Sequence, residues 1–366
     1  MRRRAGRRRG WNAWACASRA RRGERKRNLP VRCRRRGSWE FPLTACQTDP
    51  GQQNDNKARH LIYATRGLSQ LREFVRPPDL QRGDIIRVIA PAGPFDRPLF
   101  FRGLGFLSET FRVRFSRSSF ERQGYLAGDD ARRLAELNQA LRCPETRAIV
   151  CARGGFGCTR IAAQADFNAV QTAPKWLVGF SDVTALHCEL QRRQMMSVHA
   201  ANVTGLGMGH GPTRESWSQA LMGSPKIAHT LSPLRPGRVT GPVIGGNLTL
   251  LVHSLAAGRL WVPDQALLFL EEVSEAPYKV DRLLRSLAQA GVFDRVSGLV
   301  MGQFTHCGQE TGPGSVRSLI AEIAQQHRLV AACGLQAGHE PRSTPIVLGS
   351  SASLEVTATQ AELRFG

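Results

Sequence analysis

Ser181 stands where the apolar run Trp176 to Phe180 breaks into the helix-like stretch Val183 to Leu190. A hydroxyl presented at such a turn lies beside free helix N–H groups, where it can attack a carbonyl. The backbone amide of Asp182 would receive the developing oxyanion, helped by the positive end of the helix dipole. Gly179-Phe180-Ser181-Asp182 lacks the second glycine of the usual five-residue nucleophile elbow. Serine is also a preferred helix N-cap, so the bare pattern leaves nucleophile and cap both open.

Arg153-Gly154-Gly155-Phe156-Gly157 follows one predicted strand and precedes a helix. Its glycines can bring backbone N–H groups up to an anion or oxyanion, or simply permit a tight turn. The spacing is not that of a dinucleotide fingerprint, and no acidic residue ends the next strand. A serine nucleophile needs a base and a group that orients it. Beyond the N-terminal region the histidines are His187, His199, His210, His229, His253, His306, His327 and His339. His187 falls within the helix after Ser181 and should pack. His339 stands in the loop Gly338-His339-Glu340-Pro341, after a strand expected over 329–336. Glu271 ends the apolar run Leu267 to Leu270, where a buried carboxylate requires a partner and an imidazole is a natural one. Glu272 should face the opposite side, because strand side chains alternate.

The elements that carry these residues alternate. Strands are expected at 85–90, 147–152 and 176–180, with helices at 129–141, from about Thr159, and after Ser181. That order implies a parallel sheet with helices on both faces and ligands beyond the carboxyl ends of the strands. A stretch rich in Gly, Pro and Ser between about Gly205 and Arg238 is the expected linker region. Beyond it, strands are expected at 238–244, 266–272 and 296–304, and helices at 247–256, 277–290 and 316–327. Two or three short strands should follow within 345–365, with more antiparallel pairing than in the first half.

The net charge of +22 is unevenly placed: residues 1–77 hold 21 Lys and Arg against 5 Asp and Glu, leaving +6 for the rest of the 366 residues. The arginine-rich head lacks periodicity and is expected to be disordered. It reads as a start placed too far upstream, as a nonspecific basic tail, or as a nucleic-acid arm, and it lacks the apolar core of an export signal. No apolar run is long enough to span a bilayer, and the nine scattered cysteines indicate neither zinc nor a disulfide framework. A reducing cytoplasm fits this usage.

From about Pro77 onward the chain resembles the LD-carboxypeptidases, serine peptidases that trim murein tetrapeptides, together with relatives that give immunity to microcin C. The segments that carry the resemblance are Ala90-Pro91-Ala92-Gly93, Gly124-Tyr125-Leu126-Ala127-Gly128, Arg153 to Gly157, Gly179 to Leu186, and Gly245-Gly246-Asn247-Leu248. Leu268 to Val273, Pro277 to Arg282, Gly338-His339, Pro345 and Leu348-Gly349 continue the family's order.

The resemblance implies a triad of Ser181 as nucleophile, His339 as base and Glu271 as its orienting carboxylate. It also implies an oxyanion hole from the N–H groups of Asp182 and Gly155. The implied fold class is α/β: a disordered extension over 1–77, a flavodoxin-like nucleophile domain over 78–210, a linker over 211–238, and a smaller swivelling β/β/α domain over 239–366. Family members are cytoplasmic homodimers. The implied reaction is release of terminal D-alanine from the L,D-linked stem of a muropeptide, without metal or organic cofactor. Arg153 or Arg282 is the candidate for the substrate carboxylate. Two alternatives are kept: hydrolysis of aminoacyl-nucleotide amides, for which Trp217 is the candidate stacking surface, and nucleic-acid binding through the basic head. The chain departs from the family at His199-Ala200-Ala201-Asn202, where a His-Gly-Pro segment is usual, and at Arg342-Ser343-Thr344.

Overall fold

The computed structural model describes residues 73–223, 228–309 and 311–366, so the arginine-rich head up to Arg72, and its expected disorder, lie outside the described residues. Residues 73–77, at the end of the expected extension, make defined contacts with the rest of the chain. Val75 donates to Gln194 O at 2.7 Å and accepts from Met196 N at 3.0 Å. Phe74 packs on Trp261 with ring centroids 5.9 Å apart. Charge counting misses this because the short apolar pair gains its partners only through tertiary contact.

Five strands form a parallel sheet: β1 (Ile85–Ile89), β2 (Arg112–Arg114), β3 (Thr146–Cys151), β4 (Trp176–Gly179) and β5 (Ser197–His199). Their spatial order is 2-1-3-4-5, a doubly wound arrangement whose ligands bind at the carboxyl ends of the strands. Apart from Arg87 in β1 and Thr146 and Arg147 at the start of β3, the central strands are apolar, because both faces are covered. Phe100, Leu104 and Leu107 of helix α1 (Arg97–Ser108), with Val203 and Trp217, cover one face. Leu137 and Leu141 of α2 (Asp130–Arg142), with Leu186 and Leu190 of α3 (Thr184–Gln191), cover the other. Asp96 and Asp129 cap α1 and α2 through hydrogen bonds to Leu99 N and Arg132 N, each 2.7 Å.

The span expected as a linker carries regular structure: helix α4 (Gly211–Leu221) and strand β6 (Ala228–Arg235). Pro212 lies in the first turn of α4, a position where a missing N–H costs nothing. The composition that suggested a loop therefore includes a helix start.

Seven strands close into a barrel ordered β10-β6-β13-β12-β7-β8-β9. One part is parallel and comprises the end of β7 (Gly237–Asn247), β8 (Ala266–Val273), β9 (Val296–Thr305) and β10 (Val330–Cys333). The other is antiparallel and comprises the start of β7, β12 (Ser351–Val356), β13 (Ala361–Phe365) and β6. Helices α5 (Leu248–Ala256), α6 (Pro277–Gln289) and α7 (Val316–Gln326) pack Leu251, Leu284 and Ile320 onto Leu268, Leu270 and Leu299 of the parallel part. Phe269, Val300, Leu354 and Leu363 fill the interior.

One strand after the barrel's parallel part returns to the first sheet. β11 (Ile346–Leu348) pairs antiparallel with β5, setting Ile346 opposite His199 and Leu348 opposite Ser197. The loop that carries His339 immediately precedes β11, so this pairing brings that loop to the carboxyl end of the sheet that carries Ser181.

Candidate active site

Ser181 has φ +65°. A non-glycine residue held there is strained, as a nucleophile at a sharp strand-to-helix turn is. It opens a 3₁₀ turn, Ser181–Val183, that runs into α3. The capping positions are Phe180 and Val183, and neither makes a side-chain cap bond, so the N-cap reading of Ser181 is set aside. Opening a helical turn leaves the first N–H groups, including that of Asp182, without an intrahelical acceptor.

The glycine loop lies against this turn. A Cβ built on Gly154 would sit 2.9 Å from Ser181 Cβ and 3.1 Å from its Oγ. Gly93 donates its N–H to Gly154 O at 3.1 Å, which presses the loop after β1 onto the loop after β3. Two groups lock the loop from below. The buried carboxylate of Asp182 accepts from Cys158 N at 2.7 Å, and its burial raises its pKa. Fully buried Arg133 donates to Pro91 O at 2.5 Å and Gly157 O at 2.8 Å, and pairs with Asp130. Neither side chain is singled out by sequence reasoning. A carboxylate directly after the serine is the one available signal.

His339 Nδ1 lies 2.8 Å from Glu271 Oε2. Glu271 is fully buried and His339 keeps 18 % of its side chain exposed. Burial pushes the Glu271 pKa up, and the imidazole opposes that shift. An Nδ1–H donated to the carboxylate leaves Nε2 as the basic atom. The Phe180 ring packs on His339 with centroids 4.9 Å apart, placing the imidazole beside the residue that precedes Ser181. Gln303 and Thr213 hold the loop: Glu340 N donates to Gln303 Oε1 at 3.0 Å, Gln303 Nε2 to Arg342 O at 2.9 Å, and Ser343 N to Thr213 Oγ1 at 3.2 Å.

Glu272 points away, as alternation requires. Its carboxylate accepts from Asn247 Nδ2 and Thr249 N, both at 2.8 Å, at the start of α5. Asn247 N in turn donates to Thr184 Oγ1 at 3.1 Å, tying the helix after Ser181 to the strand end next to Glu271. Gly246, at φ +138°, makes room for this: a Cβ there would lie 2.7 Å from Thr184 Oγ1.

His187 packs as expected. It is fully buried, with Nε2 2.9 Å from Gly179 O and Nδ1 2.8 Å from Ser197 Oγ, and desolvation lowers its pKa to about 4. His199 lies between the rings of Phe180 and Phe269, at 5.8 and 5.0 Å, and burial keeps it neutral. Asn202, in the segment that departs from the family pattern, accepts from Phe180 N at 3.3 Å and so steadies the turn that presents Ser181.

The two candidate substrate arginines differ in placement. Arg153 is exposed beside the glycine loop and donates to Pro94 O at 2.6 Å. Arg282 lies on the exposed face of α6, 5.7 Å over the Tyr278 ring, and among the described residues no hydrogen bond or ion pair ties it to Ser181, Glu271 or His339. Asp281, its neighbour in the chain, pairs with Arg285 at 3.2 Å. Trp217 is fully buried against Phe106, which removes it as a stacking surface for a base.

Two family models match the chain: the LD-carboxypeptidase N-terminal domain over residues 86–200 and the LD-carboxypeptidase C-terminal domain over 240–354. A probable murein peptide carboxypeptidase of Bacillus subtilis is 33% identical over 306 residues, covering 80% of this chain and 95% of the relative. The murein tetrapeptide carboxypeptidase of Pseudomonas aeruginosa is 31% identical over 247 residues, covering 64% and 80%. Among solved structures, the muramoyltetrapeptide carboxypeptidase of Oxalobacter formigenes superposes with a TM-score of 0.71 at 25% identity, covering 77% of this chain and 98% of that one. With both domain models matched in order and 95% of the Bacillus subtilis relative spanned at 33% identity, the chain belongs to the LD-carboxypeptidase family and is a carboxypeptidase.

Proposed function

We propose that this carboxypeptidase removes terminal D-alanine from murein tetrapeptides by a serine mechanism. The observation that carries the reading is the buried Glu271–His339 pair, 2.8 Å apart, set beside the strained turn of Ser181. Ser181 Oγ attacks the carbonyl that precedes D-alanine while His339 Nε2 takes its proton. Glu271 holds the imidazole in the required tautomer and stabilises the imidazolium. The N–H groups of Asp182 and Gly155 receive the oxyanion. His339 then protonates the leaving amine, and water hydrolyses the acyl-enzyme by the same base. Arg153, at the glycine loop, is the better placed of the two arginines to hold a substrate carboxylate.

In this reading the doubly wound sheet is the flavodoxin-like domain, and the barrel with its helices is the swivelling β/β/α domain. The family resemblance carries the further expectation of a cytoplasmic homodimer, which light scattering and cell fractionation test. The function itself is tested by incubating the full-length protein with a murein tetrapeptide ending in D-alanine and following release by mass spectrometry beside Ser181→Ala. Release by the wild type and none by the variant supports the reading. Undiminished release by the variant removes Ser181 as nucleophile, and no release from the wild type ends the substrate assignment.

A further inference from the structure

Two large aromatic rings stand in solvent beside the glycine loop: Tyr125 is 65% exposed and Phe156 44%. They touch edge to face, with centroids 5.6 Å apart, although they come from different loops. Both loops are fixed. Tyr125 rides on a turn closed by reciprocal bonds between Gln123 and Leu126, each 3.0 Å, and Ala127 N ties that turn to Ala92 O at 2.9 Å. Phe156 belongs to the loop locked by Arg133 and Asp182 through Gly157 O and Cys158 N. Apolar area held rigidly in water contributes nothing to folding, whereas a preorganised wall lowers the cost of binding.

The two rings wall a hollow of about 610 Å³ whose charged lining is Arg122 and Arg153, with no carboxylate among its lining residues. A second hollow of about 560 Å³ shares both arginines but also carries Asp96 and Glu121. The first is bounded by Gly93 and Gly155, and Gly154, next along the chain, lies against Ser181. Its size suits a drug-sized group and far exceeds what a single alanine needs.

We propose that this hollow binds the acyl side of the peptide stem, with Arg122 and Arg153 taking a carboxylate upstream of the scissile bond and Tyr125 and Phe156 covering the aliphatic chain between. The inference rests on the carboxypeptidase reading and names the part of the substrate that reading leaves open. Two guanidinium groups lining one hollow suit a carboxylate, the lining holds no competing acid, and Arg153, which donates one N–H to Pro94 O, keeps further donors for it. In a murein stem the γ-linked glutamyl residue supplies such a group.

Two tetrapeptides with the same scissile bond test this, one with the free glutamyl carboxylate and one with that group amidated. For the full-length wild type, kcat/KM should favour the free acid by about tenfold or more, as expected of a charge-assisted hydrogen bond. Arg122→Gln should bring the ratio close to one, chiefly through KM. Tyr125→Ala and Phe156→Ala should raise KM several-fold for both peptides with Tm unchanged. Equal kcat/KM for the two peptides in the wild type, or an unchanged preference in Arg122→Gln, would overturn the proposal while leaving the carboxypeptidase reading intact. Cleavage of neither peptide would overturn both.

Discussion

Gly154 lies against Ser181 so closely that a methyl group on the glycine would come within 2.9 Å of the serine Cβ, 3.1 Å of its Oγ and 3.2 Å of Phe180 O. The loop after β3 and the turn after β4 are therefore one packed unit, and the glycine serves this close approach. Gly154→Ala is expected to fold but to displace the Ser181 side chain. A misplacement of this size should lower kcat by about 100-fold or more. Steady-state kinetics beside a thermal melt check it, and a variant with full kcat would show that the turn yields at no cost to chemistry.

Glu271→Gln retains the volume of the buried carboxylate and removes the charge that holds the His339 tautomer. The expected loss in kcat is on the order of 10³- to 10⁴-fold with the fold retained, while Ser181→Ala should fall at least as far. If the two residues act as a unit, the double variant should be little worse than Ser181→Ala alone. Additive losses would mean that they do not act together.

Asp182 has a side-chain role separate from its amide. Asp182→Ala leaves Cys158 N–H buried without its acceptor, which should cost about 1–3 kcal/mol of stability and loosen the glycine loop. Asp182→Asn keeps an acceptor oxygen and should recover most of the stability and rate. Denaturant unfolding of both variants distinguishes the hydrogen bond from the charge.

Acid should destabilise the protein through its buried histidines. His187 has its pKa lowered from 6.5 to about 4, so between those values the unfolded chain binds the extra proton. Its contribution is fully present above about pH 6.5 and is lost as pH falls toward 4, amounting to about 3 kcal/mol. His199 is shifted in the same direction. The raised carboxyl groups of Asp182 and Glu271 act with the opposite sign, stabilising the fold at low pH relative to neutral pH. Urea midpoints from pH 7 to 4 should fall, and fall less in His187→Gln. An identical slope in that variant would exclude His187 as a source.

Much of the site is legible in one dimension. The apolar run that stops at Gly179-Phe180-Ser181 encodes a strand-to-helix turn, the carboxylate at the end of Leu267–Leu270 encodes a buried acid in need of a partner, and His339 sits in a glycine-led loop. Strand alternation already separates Glu271 from Glu272. These features are local, set by backbone preference and periodicity, and motif order along the chain then indicates the family.

Other features arise only in three dimensions. Ser181 takes φ +65° in a turn held by two distant segments: Asn202 accepts from Phe180 N, and the glycine loop packs Gly154 on the serine and donates Cys158 N to Asp182. Trp217 and Arg282 read as candidates by residue type, yet one is core and the other lies on an outer helix face. Above all, β11 leaves the barrel region to pair with β5, which sets the His339 loop beside Phe180, where the imidazole meets Glu271 from β8. The sequence by itself determined the elements and the reactive groups they carry. Tertiary structure decided which of those groups meet, because pairing between distant strands depends on buried surfaces that no local pattern records.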